Sequence, residues 1–387
     1  MKTATQLVQR ARGLHKADPI TTPIYETTTF VFENAQEVRD YNEGRSEKYL
    51  YSRYGNPTIT AVEEKVAKLE GAATAMLLSS GQAATSTALL GLLEAGNEVV
   101  CSSAIYGGTL HLIADLFGRF GIRSRFVSVE ELRAPEGVLS DETKLLWFES
   151  PINPTLRCVD IAAVASACRA RGVISAIDNT FASPVNQSPI ALGVDLVMHS
   201  ATKYLNGHSD VTAGVLAGPE KLLEPVQKAR KLLGTVLDPY AAYALGRGLK
   251  TLSVRMERHN QSGMKVATWL AGDKRVRAVH YPGLPTHEDH EIARKQMRGF
   301  GGMVCLDVGG GYEGAARFFD RLELFNRAAS LGGVESLCSL PVLTSQWGHS
   351  EEELRRAGVT NSMARLSIGL EDPEDLIADL DQALGNR

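Results

Sequence analysis

Between about residues 57 and 240 the chain alternates short apolar runs with stretches of helical spacing. This alternation limits the possible folds more than any other feature of the sequence. "NPTITAVEEKVAKLEG" opens on an Asn-Pro turn and then takes helical spacing. "TAMLLSS" reads as a strand, "GQAATSTALLGLLEAG" as a helix closed by glycine, "NEVVCSS" as a strand and "GGTLHLIADLFGRFG" as a helix. "KLLWFES" is a further strand, followed by "DIAAVASACRARG", a helix with Asp160 at its cap. "VISAIDN" and "VDLVMHS" are two more strands. Strands separated by helices must return by crossovers, so the expectation is an α/β fold with a mostly parallel central sheet and helices on both faces. With 387 residues, of which 44% are hydrophobic, the chain can bury such a core.

After about residue 240 the pattern changes. "YAAYALGRGLKTLSVRMERHNQSGMKVATWLAG" reads as one long helix, kinked near Gly246 and Gly248. Shorter units follow, such as "GGMVCLDVGG" and "DPEDLIADLDQAL", which fit a smaller C-terminal α+β domain. Residues 1–56 show little periodicity and several aromatics, as expected of an arm that contacts a neighbouring subunit. The expected division is therefore an arm over 1–56, a large domain over 57–245 and a C-terminal domain over 246–387.

Several function classes are disfavoured. Net charge is −4 and no basic patch stands out, which argues against nucleic acid as a partner. No apolar run approaches the about 20 residues needed to span a bilayer. The opening "MKTATQLVQRARGLHK" is charged throughout and lacks an apolar signal core. The five cysteines, Cys101, Cys158, Cys168, Cys305 and Cys338, share no CxxC spacing, so no metal site is expected and a reducing cytoplasm fits. His287 and His290 form an HxxH pair that reads as a solvated helix start rather than as metal ligands.

Ligands of open parallel sheets bind at the carboxyl ends of the strands, so the residues after each apolar run matter most. After "TAMLL" come Ser79, Ser80, Gly81 and Gln82, opening a helix whose free N–H groups suit a phosphate. Tyr106 follows "NEVV". Glu149 and Asn153 follow "LLWF", Asp178 follows "VISAI", and His199 to Lys203 follow "VDLVM". One rim thus carries a phosphate cradle, an aromatic ring, an acid and a lysine. Together these match the needs of pyridoxal 5′-phosphate: an amine for its aldehyde, a carboxylate for its ring nitrogen, a ring to stack on and donors for its phosphate.

The chain also resembles the cysteine and methionine metabolism, or transsulfuration, family of pyridoxal-phosphate enzymes. The match rests on "YSRYGNPT" (51–58), "SSGQAAT" (79–85), "YGGT" (106–109), "ESPINPT" (149–155) and "DNTFASP" (178–184). It continues through "HSATKYLNGHSD" (199–210), "RGLKTLSVRMERH" (247–259), "SLGGVESL" (330–337) and "RLSIGLED" (365–372), in family order over essentially the whole chain. The resemblance implies the type I, aspartate aminotransferase-like pyridoxal-phosphate fold and a homotetramer built of two tight dimers. By position it makes Lys203 the Schiff-base lysine, Asp178 the partner of the pyridine nitrogen and Tyr106 the stacking tyrosine. Gly81 and Gln82 match the phosphate-binding backbone pair, with Gln82 where the family often has Met. Ser200 and Thr202 match hydroxyls on the phosphate side. Tyr51 and Arg53 match the pair that reaches the phosphate of the neighbouring subunit. Arg365 matches the arginine for the substrate carboxylate, with Asn153 and Ser330 beside it.

Three further positions bear on substrate. The resemblance places a distal acid, an arginine and a glutamate in cystathionine-handling enzymes where this chain has Leu50, His111 and Ala329. That argues for a less polar distal group. Methionine γ-lyases, however, usually carry cysteine where this chain has Gly108, and "SLGGVES", with Glu335, is nearer the cystathionine γ enzymes. The leading expectation is a carbon–sulfur lyase that carries out γ-elimination on methionine, homocysteine or cystathionine, giving 2-oxobutanoate, ammonia and a thiol. The alternatives are γ-replacement by a cystathionine γ-synthase or O-acylhomoserine sulfhydrylase, aminotransfer, and a non-catalytic cofactor-binding scaffold.

Overall fold

The computed structural model describes residues 2–8 and 19–385. Seven strands form the large sheet: β1 (Thr74–Leu78), β2 (Glu98–Ser102), β3 (Arg123–Val127), β4 (Thr143–Glu149), β5 (Ile174–Asp178), β6 (Leu196–Ser200) and β7 (Gly214–Gly218). Their order is β1-β7-β6-β5-β4-β2-β3. β7 runs antiparallel to both of its neighbours, while β2 to β6 pair in parallel. The single reversed strand keeps β1 in the direction of the others, so the loop after β1 joins the same rim as those after β4, β5 and β6. β3 and β7 were not apparent from the sequence. β3, "RSRFV", is exposed at its start, and β7, "GVLAG", is glycine at both ends.

Local chemistry fixes the helices that matter for the site. Asn56 Oδ1 accepts from the Thr58 N–H at 2.9 Å, Pro57 occupies the first turn, and Gly71 ends the helix Pro57–Glu70 at φ +70°. Asp160 caps Ile161–Ala170 as expected. "GGTLHLIADLFGRFG" departs from expectation: an α turn (Gly107–His111) passes into a π turn (Leu112–Leu116) and then a 3-10 turn (Phe117–Phe120). Its start has no side-chain cap, and three glycines weaken the α register. The expected long helix is two, Pro239–Leu249 and Leu252–Gly272, so the break lies past Gly248 rather than at it. Gly248 serves close packing, since a Cβ there would lie 2.3 Å from the Asn206 carbonyl oxygen. Arg255 holds the break by donating to the Gly248 and Tyr204 carbonyls at 2.9 and 2.8 Å.

A second, five-stranded sheet contains β8 (Ala278–His280), β9 (Met303–Asp307), β10 (Asn326–Arg327), β11 (Leu337–Ser339) and β12 (Met363–Ser367), ordered β10-β11-β12-β9-β8. It forms the core of the smaller C-terminal domain. The expected boundary at 245/246 falls within the helix Pro239–Leu249, whose Leu245 and Leu249 pack in the large-sheet core. Leu252–Gly272 then carries Leu252 and Met256 into that core, and Val266 and Leu270 into the second. At the other end Leu7 is buried in the large core, whereas helix Ala35–Asn42 buries no residue and Val31 is 90% exposed.

Candidate active site

The strand ends converge on a cavity of about 550 Å³ at the carboxyl rim of the large sheet. Register brings its acids together: Glu149 at the end of β4 pairs with Asp178 at the end of β5, and Asp178 with Met198 on β6. Lys203 lies on the turn just past β6, and its Nζ donates to Ser330 Oγ at 2.8 Å. Burial, and secondarily the Arg365 charge, push the Lys203 ammonium below its ordinary range. Ser330 itself sits at φ +136°, a conformation that favours glycine, with its hydroxyl on Lys203 and its carbonyl accepting from Arg365 at 3.2 Å.

Arg365 projects from β12, is 7% exposed and donates to Asn153 Oδ1 at 2.8 Å. Among the described residues no carboxylate forms an ion pair with it. Burial pushes its pKa down. A buried guanidinium of this kind, open to a cavity, is a receptor for a carboxylate. Asp178 is the opposite case: it is buried, accepts from the Thr180 N–H at 3.0 Å and forms no ion pair among the described residues. Burial raises its pKa.

The helix Gly81–Leu92 points its start at the same cavity. Ser80 uses its side chain on the Ala83 N–H and its carbonyl on the Ala84 N–H. The Gly81 and Gln82 N–H groups keep no acceptor among the described residues. A Cβ at Gly81 would lie 2.9 Å from Ser200 Cβ, so glycine lets the helix start close onto the end of β6. The rim therefore offers N–H donors for an anion, a carboxylate for a cation and a half-buried amine.

The chain matches the family described as Cys/Met metabolism PLP-dependent enzyme over residues 4–385. It belongs to this family. It is 42% identical to cystathionine gamma-synthase 1 of Nicotiana tabacum over 95% of this chain and 68% of that one. It is 40% identical to the L-methionine gamma-lyase of Pseudomonas putida, over 94% of this chain and 92% of that one. It is 43% identical to the cystathionine gamma-lyase of Mus musculus, over 88% and 86%. The crystal structure of metB from Corynebacterium glutamicum superposes with a TM-score of 0.92 at 38% identity, covering 100% of this chain and 98% of that one. The protein is thus a pyridoxal-phosphate-dependent enzyme with the type I fold, and the charge demands of the rim fit that cofactor.

Most of the residues expected at the site line this one cavity: Gly81, Gln82, Tyr106, Asn153, Asp178, Ser200, Thr202, Lys203, Ala329, Ser330 and Arg365. Four do not. His111 is largely exposed, with Nδ1 3.2 Å from Asp115. Leu50 uses its carbonyl on the Phe30 N–H, away from the cavity. Arg53 donates to the Lys231 carbonyl at 2.8 Å and stacks over Tyr51 and Tyr54. Thr202 lines the cavity, but its hydroxyl is engaged with Ala213, donating to the carbonyl at 3.3 Å and accepting from the N–H at 3.0 Å. Gly108 leaves space that neighbours use: a Cβ there would lie 2.5 Å from the Tyr106 ring and 2.9 Å from Gln82 Oε1. Gln82 Nε2 donates to the Gly108 carbonyl at 2.9 Å.

Three features were not assigned from the sequence. Glu149 accepts from the Tyr106 N–H at 2.9 Å and the Asn153 N–H at 3.0 Å, tying the aromatic to the neighbour of Arg365. Burial, with the Asp178 charge second, pushes Glu149 up to about 8. Thr180 Oγ1 accepts from the Ser200 N–H at 2.8 Å, locking the ends of β5 and β6. His199 and Glu70 form a fully buried hydrogen-bonded pair behind the rim. The signal for Glu149 and Thr180 was their place at strand ends; Glu70, the last residue of its helix, gave none.

Elsewhere, His287 is buried, not solvated, and its pKa is pushed down to about 4 by burial. Its helix begins later, at His290. Among the described residues no three His, Cys, Asp or Glu are grouped to hold a metal ion. All five cysteines are buried free thiols. No helix of the described residues is long and apolar enough to cross a membrane.

Proposed function

We propose that this enzyme catalyses γ-elimination on a sulfur amino acid such as methionine, homocysteine or cystathionine, releasing 2-oxobutanoate, ammonia and a thiol. The observation that carries this reading is the asymmetry of the cavity. Its one end holds the unpaired Arg365 guanidinium beside Lys203, while Ala329, Thr344, Ser345 and Phe181 line it without adding charge. That suits an amino acid whose α-carboxylate is fixed and whose distal group is uncharged, which favours methionine and homocysteine over cystathionine within this class.

Pyridoxal 5′-phosphate, when bound, supplies the electron sink that makes Cα and Cβ protons removable. The Gly81 and Gln82 N–H groups and the Ser200 hydroxyl would hold its phosphate, Asp178 its ring nitrogen, Tyr106 its ring face and Lys203 its aldehyde. Arg365, steadied by Asn153 and the Ser330 carbonyl, fixes the substrate carboxylate by its planar fork. Lys203 Nζ, with its basicity lowered by burial, would take the Cα proton, hand it to the carbon that bore the cofactor's aldehyde and, as a free amine again, take the Cβ proton. The Tyr106 phenol protonates the departing thiolate. Glu149 holds Tyr106 and Asn153 in mutual register.

We place the assembly as a homotetramer of two tight dimers, in which Tyr51 and Arg53 reach the neighbouring subunit's phosphate site. Their position outside this chain's own cavity supports that, as do the exposed Ile20, Val31 and Tyr51 of the expected arm. The buried free thiols fit a cytoplasmic setting.

γ-Replacement is the second reading, supported by the cystathionine gamma-synthase names among the relatives. Incubating the holoenzyme with methionine, homocysteine, cystathionine and O-acylhomoserines, with and without added thiol, separates the two. Keto acid released without a thiol acceptor supports elimination; product formed only when a thiol is added overturns it. The Lys203→Ala protein should lose both activity and the cofactor's visible absorbance.

A further inference from the structure

A second hollow lies where the helices Pro57–Glu70 and Pro239–Leu249 cross, and it shares no lining residue with the active-site cavity. The helices touch closely there: a Cβ on Gly246 would lie 3.0 Å from Val62 Cγ2. That approach gathers Lys65 from the first helix, Arg247 from the second and Lys250 from the break after it around a space of about 260 Å³. The hydroxyl-bearing Thr21, Thr22 and Tyr243 join Ala61 and Val62 in the wall, and among the described residues no acidic side chain lines it. Lys65 Nζ donates to the Leu7 carbonyl at 3.1 Å, and none of the three cations pairs with a carboxylate among the described residues. The chain as a whole is negative, at −4, so three convergent unpaired cations run against its overall balance.

Burial, with the Lys250 charge second, pushes the Lys65 ammonium down to about 8. The helix dipole accounts for part of the cluster, because Arg247 and Lys250 stand at the C-terminal end of their helix. It does not account for Lys65, which comes from the middle of another helix, nor for the two threonines. A small hollow lined by cations and hydroxyls, too small for a drug-sized ligand, matches a compact oxyanion.

We propose that this hollow binds a multiply charged oxyanion of the phosphate class, either inorganic phosphate or the phosphate group of a small monoester. The anion joins the N-terminal segment at Thr21 and Thr22 to the two helices beneath it. It is a site separate from the cofactor's phosphate cradle, because none of the cradle residues lines it.

The test uses the pyridoxal-phosphate-loaded enzyme, so that the cradle is already filled. Calorimetric titration with inorganic phosphate and with glycerol phosphate is compared with sodium chloride at matched ionic strength, in wild type, Lys65→Gln and Lys250→Gln. The expected result is saturable binding of at least one phosphate species, weakened roughly tenfold or more in each variant, with the cofactor's absorbance unchanged. Tighter binding of glycerol phosphate identifies a monoester as the ligand; tighter binding of inorganic phosphate identifies the free ion. Heat no larger than that of chloride, or binding equal in all three proteins, overturns the proposal. So does loss of self-association in Lys65→Gln without anion binding in wild type, since a neighbour's carboxylate would then be what neutralises the cluster. A Lys65→Arg protein, which keeps the charge, should bind within a few-fold of wild type and so guards against misfolding as the cause.

Discussion

At the scale of single residues, the site is a set of buried and half-buried charged groups that, among the described residues, hold hydrogen bonds but no ion pairs. Arg365 gives the most direct prediction. Lysine keeps the charge but loses the fork that meets both carboxylate oxygens, so Arg365→Lys should raise KM about tenfold or more with a smaller change in kcat. Steady-state kinetics on whichever amino acid the enzyme accepts will check this, and an unchanged KM would remove Arg365 from the carboxylate site. Glu149 makes a pH prediction for the cofactor-free protein. Its folded pKa, about 8, stands above its ordinary value of 4.5, and that of Asp178 is also raised. Between those values the folded state binds more protons than the unfolded state, so these groups' contribution to stability is full below about 4.5 and is lost as pH rises through about 8. Glu149→Gln should flatten that fall in denaturant melts taken from pH 5 to 8. At the acid end of that range it should also cost about 1–3 kcal/mol, because the amide's single oxygen cannot accept from both the Tyr106 and Asn153 N–H groups.

At the scale of elements, position along the strands decided what could be read from sequence. Gly81 shows how tightly the elements close: a Cβ would stand 2.9 Å from Ser200 Cβ and 3.1 Å from its Cα. Gly81→Ala should therefore weaken cofactor binding roughly tenfold or more by parting the helix start from β6, while the fold survives because neither element is built on that contact alone. Titrating the apoprotein with pyridoxal 5′-phosphate and following visible absorbance measures it; unchanged affinity would mean the cradle lies elsewhere. Lys203, Asp178 and Tyr106 were legible because strand ends are marked by a change from apolar to polar residues, and in a parallel sheet all such ends share one rim. β7 was not, because "GVLAG" has no alternation and its reversed direction follows from pairing, which one segment cannot encode. The bonding of the Thr202 hydroxyl to Ala213 was not legible for a related reason: the partner is eleven residues away, at the start of the return to β7. The helix break near residue 250 was displaced because Arg255, not a glycine, holds it.

At the scale of the whole molecule, this chain's own cavity is lined on the sheet side but lacks Tyr51 and Arg53, whose segment also leaves apolar groups exposed. If a neighbour's Arg53 completes each site, Lys203 and Arg53 of a single chain serve different sites. Two inactive proteins, Lys203→Ala and Arg53→Ala, should then rescue each other. A site is whole only when a chain with intact Lys203 pairs with a neighbour that has intact Arg53. Random re-pairing of an equal mixture makes about one quarter of the sites whole. Mixing the two after reversible dissociation, and assaying against unmixed controls, should recover about that share of wild-type activity. Recovery near zero, with hetero-association verified by a tag on one partner, would place Arg53 in its own chain's site and make the arm a structural clasp only. Exchange of subunits without any need for dissociation would instead show that the dimer contact is loose, contrary to an interface that builds the active site.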